Sequence, residues 1–169
     1  ELWTTNFKYM DPRLMIYIFS DGSDSIYGSV WTYQTLFGKV EELKKMKKSN
    51  EMKDFFKLYL NTCLTINFKD NTIPIGKSIE VALVRIGISN KEDIEPVIHE
   101  IRYSSNEVIE ILLLNKKYFL LSKFYSKLKD HRQLLYYWKG LIDGELQDDE
   151  FNKNFNDINK SLQFLVNYI

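Results

Sequence analysis

The stretch from Ser105 to Asp149, SNEVIEILLLNKKYFLLSKFYSKLKDHRQLLYYWKGLIDGELQDD, constrains the fold more than any other part of the chain. Apolar residues recur there at helical spacing in three successive segments, 108–114, 118–128 and 132–142, separated by gaps of a few residues. Helices this short bury an apolar stripe only against a neighbour, and short gaps make consecutive helices antiparallel. The pattern predicts an array of helical hairpins in which no single hairpin buries its own apolar face. An array of that kind offers other proteins a long surface rather than enclosing a substrate in a pocket.

The same periodicity runs through the rest of the chain. Asp11-Pro12-Arg13-Leu14 reads as a helix start, with Asp11 as cap and Pro12 at the first helical position, where its missing N–H is no loss; this helix is expected to reach Phe19. A polar loop over 20–29 separates it from a helical pattern over 31–48, whose end carries Lys44, Lys45, Lys47 and Lys48, where cations suit the helix dipole. A long helix over 51–68 has Phe55, Leu58, Tyr59, Thr62, Cys63 and Ile66 as its expected buried stripe. Residues 69–74 read as a turn, and 78–86 as a short helix with Ile79, Ala82, Leu83 and Ile86 inward. Ser89-Asn90 is placed to cap a helix from about Lys91, in which Pro96 marks either a kink or a first turn. Ser105 caps the next helix, and the last pair is expected over 149–156 and 157–169, with Ile158, Leu162, Leu165, Val166 and Ile169 as its stripe. No segment alternates apolar and polar residues in the manner of a strand. The fold class expected is therefore all-α, as one section, residues 1–169, of stacked antiparallel hairpins. Leu113, Leu121, Phe124, Tyr125, Leu128 and Leu135 should share a core between adjacent hairpins.

Chemistry is sparse. His99 and His131 are the only histidines and Cys63 the only cysteine, so there is neither a zinc-ligand spacing nor a disulfide framework. His99 reads as part of an amphipathic helix, His131 as part of a helix entry turn, and Cys63 as a buried thiol without a positioned base. Asp148-Asp149-Glu150 either binds a cation or forms the negative first turn of a helix, and its spacing is not that of a calcium loop. No phosphate-loop, dinucleotide, nucleophile-elbow or zinc-protease motif occurs. Catalytic residues, cofactors and metals are thus all expected to be absent. Lys plus Arg equals Asp plus Glu at 23 each, which argues against a general nucleic-acid binder. The four lysines 44, 45, 47 and 48 either touch an anionic lipid or acidic protein surface or form a solvated helix end. Trp3, Trp31 and Trp138 are candidate interface anchors, although Trp138 shares an apolar stripe with Leu134 and Leu135 and reads as core. The apolar runs 14–19 and 111–114 fall far short of a membrane span. The chain begins at Glu1 and reads as a piece cut from a longer protein.

Several of these stretches resemble one family. Asp11-Pro12-Arg13-Leu14 followed by Ile16-Tyr17-Ile18-Phe19 is similar to the DPR, apolar-run, aromatic motif of vacuolar sorting subunits of the HOPS and CORVET tethering complexes. The stretch 54–64, DFFKLYLNTCL, is similar to the family helix in which an Asp, an apolar pair and a Tyr-Leu lead into a loop. Asn115-Lys116-Lys117-Tyr118, Leu121, Tyr125, Lys127, Asp130-His131 and Leu135 resemble its best-marked stretch. Trp138, Leu141, Asp143-Gly144-Glu145 and Asp148 look more like the CORVET branch, that of the TGF-beta receptor-associated protein, than the HOPS paralogue. The resemblance implies an α-solenoid of the clathrin-heavy-chain-repeat or TPR-like kind, in a subunit whose N-terminal β-propeller is not in this chain. It implies a scaffold for endosomal or vacuolar tethering, cytoplasmic and peripheral on the membrane through its partners. Those partners would be other tethering subunits and a Rab GTPase. The alternative it implies is a segment of a Rab guanine-nucleotide exchange factor. No partner-contact residue of the family maps onto this chain by a short motif.

Overall fold

The computed structural model describes residues 12–19, 50–64, 72–155 and 157–166. Every regular element among the described residues is an α-helix, and none of those residues is in a strand. The chain divides into two compact units, residues Glu1–Glu92 with Arg102–Ser104, and Asp93–Ile101 with Ser105–Ile169.

The first unit contains α1 (Pro12–Phe19), α2 (Asn50–Leu64) and α3 (Thr72–Asn90), each packed on the other two. The start of α1 is as expected at Pro12; Asp11 and the pattern over 31–48 lie outside the described residues. The central helix is α3, buried on nearly all sides through Ile75, Ile79, Val81, Ala82, Leu83 and Val84. It begins earlier and runs longer than its sequence suggests. Pro74 is no turn residue but lies in the first helical turn, where the proline nitrogen has no helical acceptor to lose. Gly76 is retained within the helix because a Cβ there would lie 2.6 Å from Cδ2 of Tyr103, whose ring rests on the bare backbone. The expected stripe of α2 is rotated by about one position. Phe56, Tyr59, Leu60 and Cys63 are buried, Phe55 and Thr62 are half-buried, and Leu58 is 65% exposed. Apolar residues occupy more than half of the circumference of α2, so its periodicity alone does not choose the inward face.

The second unit contains α4 (Glu95–Glu100), α5 (Ser105–Leu114), α6 (Tyr118–Lys127), α7 (His131–Ile142), α8 (Asp149–Asn154) and α9 (Ile158–Val166). The expected helix from Lys91 does not form: α3 ends at Asn90, and α4 starts only at Glu95, with Pro96 in its first turn. α6 packs on α4, α5 and α7, and α7 on α9. The core gathers Phe119, Leu134, Trp138, Leu141, Phe151 and Leu165, with Phe155 and Phe164 against it. Phe119 touches Trp138, Phe151 and Phe155 at centroid distances of 5.6–5.7 Å, in the tilted and edge-on geometries that aromatic quadrupoles favour. The buried indole N–H of Trp138 has no hydrogen-bond partner, so apolar packing seats this residue, and it is core rather than an interface anchor. Leu121 and Phe124 are buried as expected, and Leu113 and Tyr125 half-buried. Leu128 and Leu135 are exposed instead. The entry to α7 explains Leu135: the Asp130 side chain accepts the Gln133 N–H and sets the first turn, after which Leu134, Trp138 and Leu141 recur inward at i, i+4 and i+7.

The helix ends repeat one device. Lys91, Lys116 and Lys129 all have left-handed φ, between 54° and 59°. After each, two backbone bonds close the preceding helix: Lys91 N–H to Ile88 O with Glu92 N–H to Gly87 O, Lys116 N–H to Leu113 O with Lys117 N–H to Leu112 O, and Lys129 N–H to Ser126 O with Asp130 N–H to Tyr125 O. This is the Schellman closure, built three times around a lysine rather than the usual glycine. α7 ends on a glycine, Gly144, with φ 74°.

Candidate interaction surface

Buried and half-buried charges in the second unit hold helix ends in place. Lys127 of α6 donates from Nζ to the Ile98 and Ile101 carbonyl oxygens at 2.9 and 2.6 Å, closing the C-terminus of α4 with a cation where the helix dipole favours one. One turn earlier, Lys123 is buried, paired with Glu95 at 2.6 Å and lying 4.4 Å from the Phe119 ring centroid. Asp148 does the same for N-termini. Its Oδ1 accepts the Glu150 and Phe151 N–H groups at the start of α8, and its Oδ2 accepts the Phe119 N–H at the start of α6, at 3.0 Å. The acidic run is therefore the cap and first turn of α8. Burial, and next the Asp148 charge, push the Glu150 carboxyl above the usual carboxylate range.

With the helices fixed in this way, two faces of the second unit present apolar side chains outward. On the α6–α7 hairpin, Tyr118 and Tyr125 lie two turns apart, and the Tyr137 ring of α7 stacks between them. The centroid distances are 6.2 and 5.6 Å, with interplanar angles of 12° and 8°. Tyr136 meets Tyr137 edge-on at 5.1 Å and is 67% exposed, next to exposed Leu135. Burial raises the phenol pKa values of Tyr125 and Tyr137, helped at Tyr125 by Asp130 and at Tyr137 by the neighbouring phenols, so these two phenols stay neutral. On α9, Ile158, Leu162 and Val166 recur at i, i+4 and i+8 on an outward stripe, with Val166 73% exposed. The sequence expectation had these three inward. Ser161 and Leu165 take the buried positions, the Ser161 hydroxyl being satisfied by the Ile158 carbonyl at 2.7 Å. Both faces are formed by aromatic or aliphatic side chains, a composition suited to a protein partner rather than to a phosphate backbone.

The other candidates from sequence do not gather. His99 is exposed, 3.8 Å from Glu95, and His131 is exposed at the start of α7. Cys63 is buried in the first unit. Among the described residues no group of three or more His, Cys, Asp or Glu side chains is placed to hold a metal ion, and no helix is long and apolar enough to cross a membrane. Lys44, Lys45, Lys47 and Lys48, like Trp3 and Trp31, lie outside the described residues. The tyrosine ladder went unread in the sequence, although its signal is there: Tyr118 and Tyr125 at i and i+7, opposite the Tyr136-Tyr137 pair.

Comparison with family models, with curated proteins and with solved structures gave no match to this chain.

Proposed function

We propose that this chain is an α-solenoid section of a membrane-tethering subunit of the HOPS/CORVET kind, of the CORVET branch, and that it acts as a scaffold. In this reading it binds other tethering subunits and a Rab GTPase, and reaches the endosomal or vacuolar membrane from the cytoplasm through them. The reading starts from the ordered run of resembling motifs, from Asp11-Pro12-Arg13 through Asn115–His131 to Asp143–Asp148. The observation that carries it is the pair of outward apolar faces, Leu135 and Tyr136 on α7 and Ile158, Leu162 and Val166 on α9. In stacked helical arrays such faces are where a further helix layer or a partner packs.

The test is a pull-down of the chain against nucleotide-loaded Rab proteins and against the shared tethering subunits, run beside Leu135→Glu/Tyr136→Glu and Leu162→Glu variants. The expected result is stoichiometric capture of at least one of these partners, lost on placing a charge on either face. Capture of none, or capture indifferent to both variants, overturns the scaffold reading. Acceleration of nucleotide release from a Rab by the purified chain replaces it with the exchange-factor one.

A further inference from the structure

Glu80 is an acidic residue in the middle of the apolar helix α3, and it is 2% exposed. Its carboxylate is not spent on a cation. Oε1 accepts the Arg102 N–H at 2.8 Å, both oxygens share the Tyr103 N–H at 3.3 and 3.0 Å, and Oε2 accepts the Ser104 N–H at 2.9 Å and the Ser104 hydroxyl at 2.7 Å. One turn earlier on the same face of α3, Gly76 leaves the notch in which the Tyr103 ring lies. Residues Arg102–Ser104 belong to the first unit, although the chain on either side of them, Asp93–Ile101 and Ser105 onward, belongs to the second.

We propose that residues Arg102–Ser104 form a strap that Glu80 holds shut, and that the strap opens as one piece while the helices of both units stay folded. The concentration of bonds on one side chain carries this. Three successive backbone N–H groups and a hydroxyl lose their acceptor together when the carboxylate withdraws, so the strap has a closed and an open state rather than a series of frayed ones. The helices flanking it do not share that dependence. α3 keeps its own ladder and its burial through Ile79, Leu83 and Val84, and α5 keeps Val108, Ile111 and Leu112 buried. Opening withdraws the half-buried Tyr103 ring from the Gly76 notch and brings buried Ser104 and the three backbone N–H groups into solvent, Arg102 being exposed already.

Amide hydrogen exchange on the whole chain, read residue by residue by NMR, tests this. In the wild-type protein the Arg102, Tyr103 and Ser104 amides should exchange at one common rate, at least tenfold faster than those at the centres of α3 and α6. That rate should be insensitive to low denaturant, because little surface is exposed in the opening. Glu80→Gln should raise those three rates a further tenfold or more and leave α6 unchanged. Tyr103→Ala, which empties the notch but keeps the carboxylate, should raise them less. The proposal is overturned if the three amides exchange at unrelated rates, or only along with the centres of α3 and α6. It is equally overturned if Glu80→Gln folds and leaves the three rates as they were. Should Glu80→Gln fail to fold, the wild-type rates and the Tyr103→Ala comparison decide alone.

Discussion

Replacing Asp148 by alanine should destabilise the second unit well beyond the loss of an ordinary helix cap. The carboxylate is buried and serves the N-termini of two helices, accepting from Glu150 and Phe151 of α8 and from Phe119 of α6. Loss of the α8 cap alone costs about 1 kcal/mol. The Phe119 N–H lies in the first turn of α6, where no helical carbonyl is available to it, and leaving such a buried donor unpaired costs about 1–3 kcal/mol more. The sum is about 3 kcal/mol, which for a chain of this size lowers Tm by about 6–12 °C. Asp148→Asn keeps one acceptor oxygen and the shape but gives up the charge at two helix N-termini, so its cost should be about 1–2 kcal/mol. Circular dichroism melts and urea titrations of the three proteins measure both numbers. A second readout separates the electrostatic part: the Asp148 charge helps to raise the Glu150 carboxyl, so in Asp148→Asn that carboxyl should titrate closer to its ordinary range by NMR. An alanine variant that melts within about 1 °C of wild type, with the Phe119 amide still protected, would refute the double-cap reasoning.

Three further outcomes are expected. Lys91→Gly, Lys116→Gly and Lys129→Gly should each raise stability by up to about 1 kcal/mol, because all three lysines sit at left-handed φ where glycine is unstrained; urea midpoints below wild type would show the closures to be unstrained already. Leu121→Ala and Leu134→Ala should cost about 2–5 kcal/mol each in the same melts, while Leu135→Ala costs less than about 0.5 kcal/mol, and equal losses at Leu134 and Leu135 would reverse the assigned face of α7. Glu150→Gln should stabilise the protein at neutral pH. The raised carboxyl means that the folded state tolerates the anion less well than the unfolded chain does. That penalty is complete above the folded pKa and absent below the ordinary carboxylate range, so the gain from Glu150→Gln should vanish as pH falls below about 4.

Where local signals and packing agreed, the sequence was readable to within a residue. α6 and α7 are flanked by a left-handed lysine and a side-chain cap at Asp130, and their apolar period matched the helices that formed. The start of α3 is not legible in the sequence because Pro74, beside Asp70 and Asn71, reads as part of a turn. In the fold, Pro74 sits where no bond is lost, and Gly76 is required by the ring of Tyr103, a residue distant in sequence. Inward faces were least legible where apolar residues cover a wide arc. On α9 the choice fell on Ser161 and Leu165 and left Ile158, Leu162 and Val166 outside. Glu80 went unread for a related reason: a lone carboxylate within an apolar helix signals a buried acceptor, but its donors come from a segment whose position no local pattern supplies.

One recurrence in this chain lies in the backbone rather than in the side chains. α3, α5 and α6 share no run of residues, yet each ends on a left-handed lysine closed by the same pair of hydrogen bonds. The residue before that lysine is Asn90, Asn115 or Leu128, so there is no fixed motif for a search to find. What is held constant is the direction in which the chain leaves each helix. Side chains are then free to diverge wherever they satisfy the local core, as the aromatic cluster around Phe119 and the aliphatic centre of α3 both do. A chain built this way keeps its outward faces independent of its closures. Charge placed on Leu135, Tyr136 or Leu162 should therefore change what the surface binds while leaving the helix ends, and the fold they direct, intact.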